Sequence, residues 1–410
     1  MRQANMIYKN YILYFFLIFG AVTNIYLIVQ LKRIRFSESS AKISCDIDVE
    51  NLMSLMQSSR LQEHNSIGFA DENGPTVSPP TFEKTVQTSL FAFPGSSGLG
   101  NKLFELIALR GIADTLQRTP VINVVRGDIV ESLFNRIQPI FPAVLGQYQL
   151  RIIPSSAITR QQANFGACCK FDDPFKFVNN SAEHLLLDGH YFQSFKYFSH
   201  LRSHVRQWLT PNKLAFLRAE ILMPASHRED FIICTHVRRG DFQSDGVHEP
   251  SSANFTRYAT DYLVEEYQKT HERVTVVVLG NDITFAYTVF EDRAERFSTL
   301  DSNATLYNYT LPESSPEYTV ILTPTLDPEI DLAFSRAFCD VTLITAPSST
   351  FGWWISYLAK PSAISYYRDI VESKDGVARE MKVEDFYPPN WIKLETDPSG
   401  RIRKSYVHSL

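Results

Sequence analysis

FIICTHVRRGDF, residues 231–242, decides the fold. Its first part, FIICTHV, is a nearly unbroken apolar run of the length of one strand. The length of the run, its β-branched Ile232, Ile233, Thr235 and Val237, and the polar loop behind it make it read as a strand buried on both faces. Its second part carries Arg238, Arg239 and Asp241 directly behind His236, so the charge falls at the carboxyl end of that strand. Adjacent side chains of an extended chain point opposite ways: one arginine can face a cleft while the other pairs with Asp241 or packs on the scaffold. The planar guanidinium fork suits a diphosphate, with charge-assisted bonds worth about 1.5 to 3 kcal/mol each. His236 can donate to the same phosphates or to the loop backbone. An Arg–Asp pair closing a turn at Gly240 would explain one arginine and Asp241 but leave the other arginine and His236 without a task. The RGD tripeptide is read as coincidence, because a buried strand precedes it.

The same unit recurs along the chain. SLFAF (89–93) leads into PGSSGLGN (94–101) and the helical pattern KLFELIALRGIADTLQ (102–117); VTVVVLG (274–280) leads into NDITFAYTVF; VTLITA (341–346) leads into PSST (347–350) and FGWWISYLA. Apolar strands alternating with helices predict parallel sheets covered on both faces, with ligands beyond the carboxyl ends of the strands. MPASHRED (223–230) reads as a linker, which divides the globular part into 85–225 and 226–410. GSSGLGN lacks both the GxGxxG spacing and a Walker lysine, so it is either a simple turn or a close backbone approach to a ligand. Ser348, Ser349 and Thr350 can cap the following helix or hold phosphate. Trp353 and Trp354 read as core. Asp172 and Asp173 in FDDPF read as a turn rather than a metal site, and His184, His190, His200, His204 and His248 show no metal-ligand spacing, which leaves solvent or core roles.

Composition bounds the rest. The 410 residues are 44% hydrophobic and 21% charged with a net charge of -5, which describes a globular protein without a nucleic-acid footprint. Residues 11–31 contain no charge and would span about 31 Å as a helix, the thickness of a bilayer core. An uncleaved signal anchor is favoured over a cleaved signal peptide, because the apolar run continues past Ala21. Residues 1–10 are then a cytosolic tail and 32–84, rich in Ser and Pro, a flexible stem. The flanking charges, Arg2 and Lys9 against Lys32, Arg33 and Arg35, by themselves mildly favour the opposite orientation. Sequons at Asn179, Asn254, Asn303 and Asn308 argue for a luminal catalytic part. Five cysteines (Cys45, Cys168, Cys169, Cys234, Cys339) allow disulfides with one left over, and Cys234 reads as a small buried hydrophobe.

Taken in order, GLGNKLFEL (98–106), HVRRGDF, VVVLGND and SSTFGWWISYLA resemble the motifs of the α-1,2-fucosyltransferases, with a more distant likeness to α-1,6- and protein O-fucosyltransferases. The likeness covers roughly residues 89–360. It implies a GT-B fold, two Rossmann-like domains with parallel sheets facing a cleft: an amino-terminal acceptor side and a carboxy-terminal donor side. It further implies GDP-fucose as donor, a glycan acceptor joined through galactose O2, inversion at the fucose carbon, no metal cofactor, and a type II Golgi membrane glycoprotein. On this resemblance Arg238 grips the donor diphosphate, His236 and Arg239 shape the donor loop, Ser348 and Ser349 touch phosphate, and Asp331 reads guanine. Asn101 is the member carried over from the first loop, since Lys102 stands where the family has glutamine. The proton acceptor is Asp241 or an acid of the following loop, Asp245 or Glu249. The competing readings are a fucosyltransferase with another acceptor, such as protein hydroxyls, and an inactive membrane-anchored glycan-binding protein.

Overall fold

The computed structural model describes residues 82–94, 97–163, 167–298, 308–310 and 318–405, all within one compact unit, Val77–Leu410. The expected anchor at 11–31, nearly all of the stem, Cys45, Asn303 and the side chain of Asn308 lie outside these residues. Among the described residues no helix is long and apolar enough to cross a membrane.

The first sheet contains β1 (Thr85–Thr88), β2 (Thr119–Asn123), β3 (Gln149–Arg151), β4 (Ile158–Gln162) and β5 (His184–Asp188), all parallel, in the order β3-β2-β1-β5-β4. Four of these strands come from 118–200, a stretch without a readable pattern, because QLR and ITRQQ are short and largely polar. The strand expected at 89–93 lies instead at 85–88. Leu90 takes a left-handed φ of +46°, and Phe93 N–H bonds back to Leu90 C=O at 3.2 Å, so the backbone turns where the apolar run begins.

The second sheet runs β14-β13-β12-β11-β6-β7-β10-β8-β9, built from β6 (Phe231–Val237), β7 (Val274–Gly280), β8 (Ala294–Ser298), β9 (Asn308–Thr310), β10 (Thr319–Leu322), β11 (Val341–Ile344), β12 (Ile364–Arg368), β13 (Ile392–Thr396) and β14 (Ile402–Ser405). It is parallel except at its two edges, β13–β14 and β8–β9. FIICTHV and VTVVVLG form β6 and β7, paired along their whole length and almost continuously buried. The chain leaves β6 toward β7 and β10, then returns to the other side of β6 as β11. The strand order therefore reverses between β6 and β11, and a crevice opens at the carboxyl ends there.

Helix α1 (Leu99–Leu116) is buried along nearly its whole length and packs against α2 (Thr350–Leu358), which follows β11. The contact is close at Gly100, where a Cβ would lie 2.6 Å from Thr350 Oγ1 and 2.7 Å from the Phe351 nitrogen. Trp354 Nε1 donates to Gly100 C=O at 3.0 Å. Trp353 and Trp354, both fully buried, pack with Phe104 and Phe198 in a core that joins the two sheets, as the core reading of the pair expected. Cys234 is not a free buried thiol as the sequence suggested: it is bonded to Cys339, at the chain entry to β11. The Cα atoms lie 5.6 Å apart, one on β6 and the other at the end of the helix Pro328–Phe338 that leads into β11, which allows the bridge, a proximity that sequence spacing hides. Cys168 and Cys169 form a second bridge.

Candidate functional site

A cavity of about 670 Å³ lies at the carboxyl ends of both sheets. The loop after β1 supplies Ser97–Asn101, the loop after β5 supplies Tyr191 and Gln193, and the ends of β6 and β7 supply His236–Arg238 and Gly280–Asn281. Pro328 and Asp331 follow β10, and Ser348–Phe351 follow β11. His236, Arg238, Asp241, Asn101, Asp331, Ser348 and Ser349, scattered over about 250 positions of sequence, thus share one cavity wall.

Arg238 is the cation of this wall. Its guanidinium pairs with Asp241 at 2.8 Å and rests over the Phe242 ring at 5.2 Å. Arg239, expected to shape the donor loop beside it, lies off the cavity wall. Its Nε meets Asp282 at 3.2 Å, Nη1 donates to Ser251 C=O at 2.8 Å, and the guanidinium stacks on Phe285 at 4.1 Å. The division between the two arginines is the one that an extended strand end requires, but Asp241 serves Arg238, and Asp282 braces Arg239. Gly240, with φ of +45°, lets the chain turn between them; a Cβ there would lie 2.6 Å from Asn281 Nδ2, whose side-chain oxygen accepts Arg239 N–H at 2.9 Å.

His236 is buried, and burial together with the neighbouring Arg238 pushes its imidazole down to about 3. It is therefore neutral at any physiological pH, and its contribution to an anion is a hydrogen bond rather than a charge. Ser349 caps α2, accepting Gly352 N–H at 3.1 Å. Ser348 Oγ instead donates to Asp375, so the two serines divide the capping and bracing of one loop. The amides at the start of α2 present partial positive charge to the cavity. Asn101 accepts hydrogen bonds from Thr350 at 2.7 Å and Gln193 at 3.1 Å, tying the loop after β1 to the start of α2.

Asp331, in the first turn of the helix Pro328–Phe338, is almost fully buried, and among the described residues its Oδ1 has no hydrogen-bond partner. Burial, with Glu329 nearby, raises its carboxyl well above the ordinary range. A buried acceptor left unmatched costs about 1–3 kcal/mol, which a ligand donor would recover.

Sequence reasoning missed three supports of the site. Glu105, fully buried on α1, accepts N–H groups from Ala92 at 2.8 Å and Tyr191 at 3.2 Å, and so holds Tyr191 on the cavity wall in a left-handed conformation of φ +57°. Burial pushes its carboxyl up to about 7 against the pull of those N–H groups. An acid in the middle of LFELIAL was the available signal. Asp375 joins the Ser348 loop to Glu249 N–H, at 3.1 Å from the latter. His248 lines the cavity, contrary to its assigned solvent or core role, and Glu249 does not. Asp172 and Asp173 are occupied as a turn: Asp172 pairs with Lys176, and Asp173 caps Phe175 N–H at 2.9 Å. Of the sequons, Asn179 and Asn254 are exposed.

Two α/β sheets share a cavity lined by a strand-end arginine and helix amides, an arrangement suited to an anionic ligand, and comparison with known proteins supplies the class of protein. Residues 172–305 match the model of glycosyl transferase family 11. A galactoside 2-alpha-L-fucosyltransferase of Caenorhabditis elegans is 58% identical over 97% of this chain and 99% of its own length. A second protein of that description from the same organism is 36% identical over 74% of this chain and 79% of its own. The solved fucosyltransferase NodZ from Bradyrhizobium is 13% identical over 80% of this chain and 99% of its own, with a TM-score of 0.40, too distant to carry a residue assignment. The protein is a glycosyltransferase. It belongs to the α-1,2-fucosyltransferase family.

Proposed function

We propose that this enzyme transfers L-fucose from GDP-β-L-fucose to O2 of a galactose residue in a glycan acceptor, with inversion and without a metal cofactor. The observation that carries the donor reading is that Arg238 and the buried, unmatched Asp331 share one cavity. A nucleoside diphosphate has the anion for the first, and guanine, with adjacent N1–H and N2–H donors, has the partner for the second. The acceptor class is taken from the relatives named above.

The chemistry asks little covalent work of the protein. As the C1–O bond of fucose breaks, negative charge grows on the β-phosphate, and Arg238 with the α2 amides would stabilise it; removing one such donor typically costs 10²–10³-fold in rate. The positive charge that a metal would supply elsewhere is here assigned to Arg238 and the helix dipole. Residues 1–10, 11–31 and 32–84 are assigned as cytosolic tail, signal anchor and stem of a type II Golgi membrane glycoprotein, with 85–225 as acceptor-side and 226–410 as donor-side domain. The apolar 11–31 run and the exposed Asn179 and Asn254 support this topology.

The test is transfer by the detergent-solubilised full-length protein from a panel of nucleotide sugars to galactosides, with and without chelator. Transfer from GDP-fucose that survives chelation, and an α-1,2 linkage in the product, are expected. Preference for another nucleotide sugar, or loss of activity on chelation, would refute the donor or the metal assignment respectively.

A further inference from the structure

Inverting transfer needs a group that takes the proton of the attacking hydroxyl, and the carboxylates nearest the diphosphate site are committed elsewhere. Asp241 is paired with Arg238 at 2.8 Å. Asp245 Oδ1 accepts Val247 N–H at 2.8 Å and His248 N–H at 2.9 Å, while its Oδ2 lies 2.6 Å from His248 Nδ1. Although burial opposes it, these donors together hold the Asp245 carboxyl below the ordinary range, as a fixed anion. Glu249 lies off the cavity wall.

What the Asp245 turn does instead is orient an imidazole. His248 stacks on Phe242 with ring centroids 4.3 Å apart and planes 15° from parallel, and Phe242 is also the ring on which Arg238 rests. With Nδ1 hydrogen-bonded to a carboxylate, the ring keeps its proton on that nitrogen and presents a lone pair on Nε2. Nε2 has no partner among the described residues, and the ring lines the cavity that holds Arg238 and Asp331. The loop itself is fixed from a second side: Gly376 N–H donates to Val247 C=O at 2.7 Å, and Glu249 N–H donates to Asp375, which also accepts from Ser348 of the phosphate-side loop.

We infer that His248 is the general base of the transfer and that Asp245 is its positioning residue. The inference rests on the fucosyl-transfer reading. The acceptor oxygen forms a bond to C1 of fucose, the C1–O bond to the β-phosphate breaks with its electron pair passing to GDP, and the acceptor proton passes to His248 Nε2. Asp245 then faces the resulting imidazolium. An aspartate holding a histidine in the productive tautomer is the arrangement that makes imidazole an effective base in other transfers.

The experiment compares wild type, His248→Ala, His248→Gln and Asp245→Asn, all full length, reading GDP affinity by calorimetry, transfer at saturating donor and acceptor, and its pH profile. Both His248 variants should lose about 10²–10⁴-fold in kcat with GDP affinity within about threefold of wild type, and imidazole in the buffer should restore part of the His248→Ala rate. Asp245→Asn should lose less and move the rising limb of the profile to lower pH, since an anion beside the imidazolium is gone. Charges that also bear on that limb are Arg238 and Asp241 beside Phe242, Glu249, Asp375 behind the loop, and Asp331 and Glu380 on the cavity wall. His248→Ala turning over at more than a third of the wild-type rate, or losing GDP affinity in proportion to rate, would overturn the assignment. A wild-type protein that binds GDP yet transfers no fucose would instead remove the underlying reading and this one with it.

Discussion

Arg238 and Asp241 form an ion pair at 2.8 Å on the wall of the cavity, so the cation assigned to the donor diphosphate is held by a neighbouring carboxylate before any donor arrives. Asp241 is largely exposed, and an exposed pair of this kind is worth little to the fold. Among the described residues Asp241 meets the guanidinium at Nη2, so a diphosphate can bind the remaining N–H groups with the pair intact. Arg238→Ala should reduce transfer by about 10³-fold or more while leaving the melting temperature nearly unchanged. Asp241→Asn should change transfer by less than about tenfold. Near-normal turnover by a folded Arg238→Ala protein would remove the diphosphate assignment.

Asp331→Asn replaces one of the two carboxyl oxygens by an NH2 donor, which cannot receive a second N–H of the base. The donor KM should rise about 10- to 100-fold, the cost of setting a buried donor against a donor, with less effect on kcat. Discrimination between GDP and other nucleoside diphosphates should narrow in parallel, measured by competition for binding. Unchanged discrimination would mean that Asp331 reads something other than the base.

Gly100→Ala tests the joint between α1 and α2. Its Cβ would meet Thr350 Oγ1 at 2.6 Å and main-chain atoms of Thr350 and Phe351 at 2.7 Å, and main chain cannot yield as a flexible side chain would. A loss of about 1–3 kcal/mol is expected, read as a lower midpoint in thermal or denaturant unfolding, together with weaker GDP binding because the start of α2 moves. A midpoint within a degree of wild type would contradict the close approach.

Glu105 predicts a pH dependence. Its folded-state carboxyl sits near pH 7, above the unfolded value of 4.5, so between these limits the native state holds a proton that the unfolded state releases. Its contribution to stability therefore falls as pH rises from about 4.5 to about 7 and is level above that. Glu105→Gln cannot ionise. The stability of wild type relative to this variant should decline between pH 5 and pH 7.5 by a few kcal/mol at most, measured by denaturant unfolding at both pH values. A constant difference would mean that Glu105 does not titrate in this range.

The legible part of the site was the part carried by strand ends. That one of the two arginines faces the cavity while the other turns away follows from alternation along an extended chain, the choice of Arg238 came from the family resemblance, and the Ser349 cap follows from residue type beside a helical pattern. The illegible part was carried by contacts between distant segments. Nothing in GVHEP signals that His248 will lie against Phe242, and nothing in SKDG signals that Asp375 will join two cavity loops. First-sheet strands such as QLR are set by their neighbours in the sheet and not by their own propensity, so they left no pattern to read.

By itself the sequence determined β6 and β7, the α/β architecture around them, and the placement of charged and polar residues at their carboxyl ends, because an apolar, β-branched strand favours a buried sheet and its polar exit falls at the sheet's edge. Tertiary structure alone decided which acid serves which cation, why the first strand ends before its apolar residues, that Cys234 meets Cys339, and that Asp331 arrives unmatched in the cavity of Arg238. These outcomes depend on distances between residues far apart in the chain, where packing of the two sheets around α1 and α2 chooses among partners that local pattern leaves equivalent.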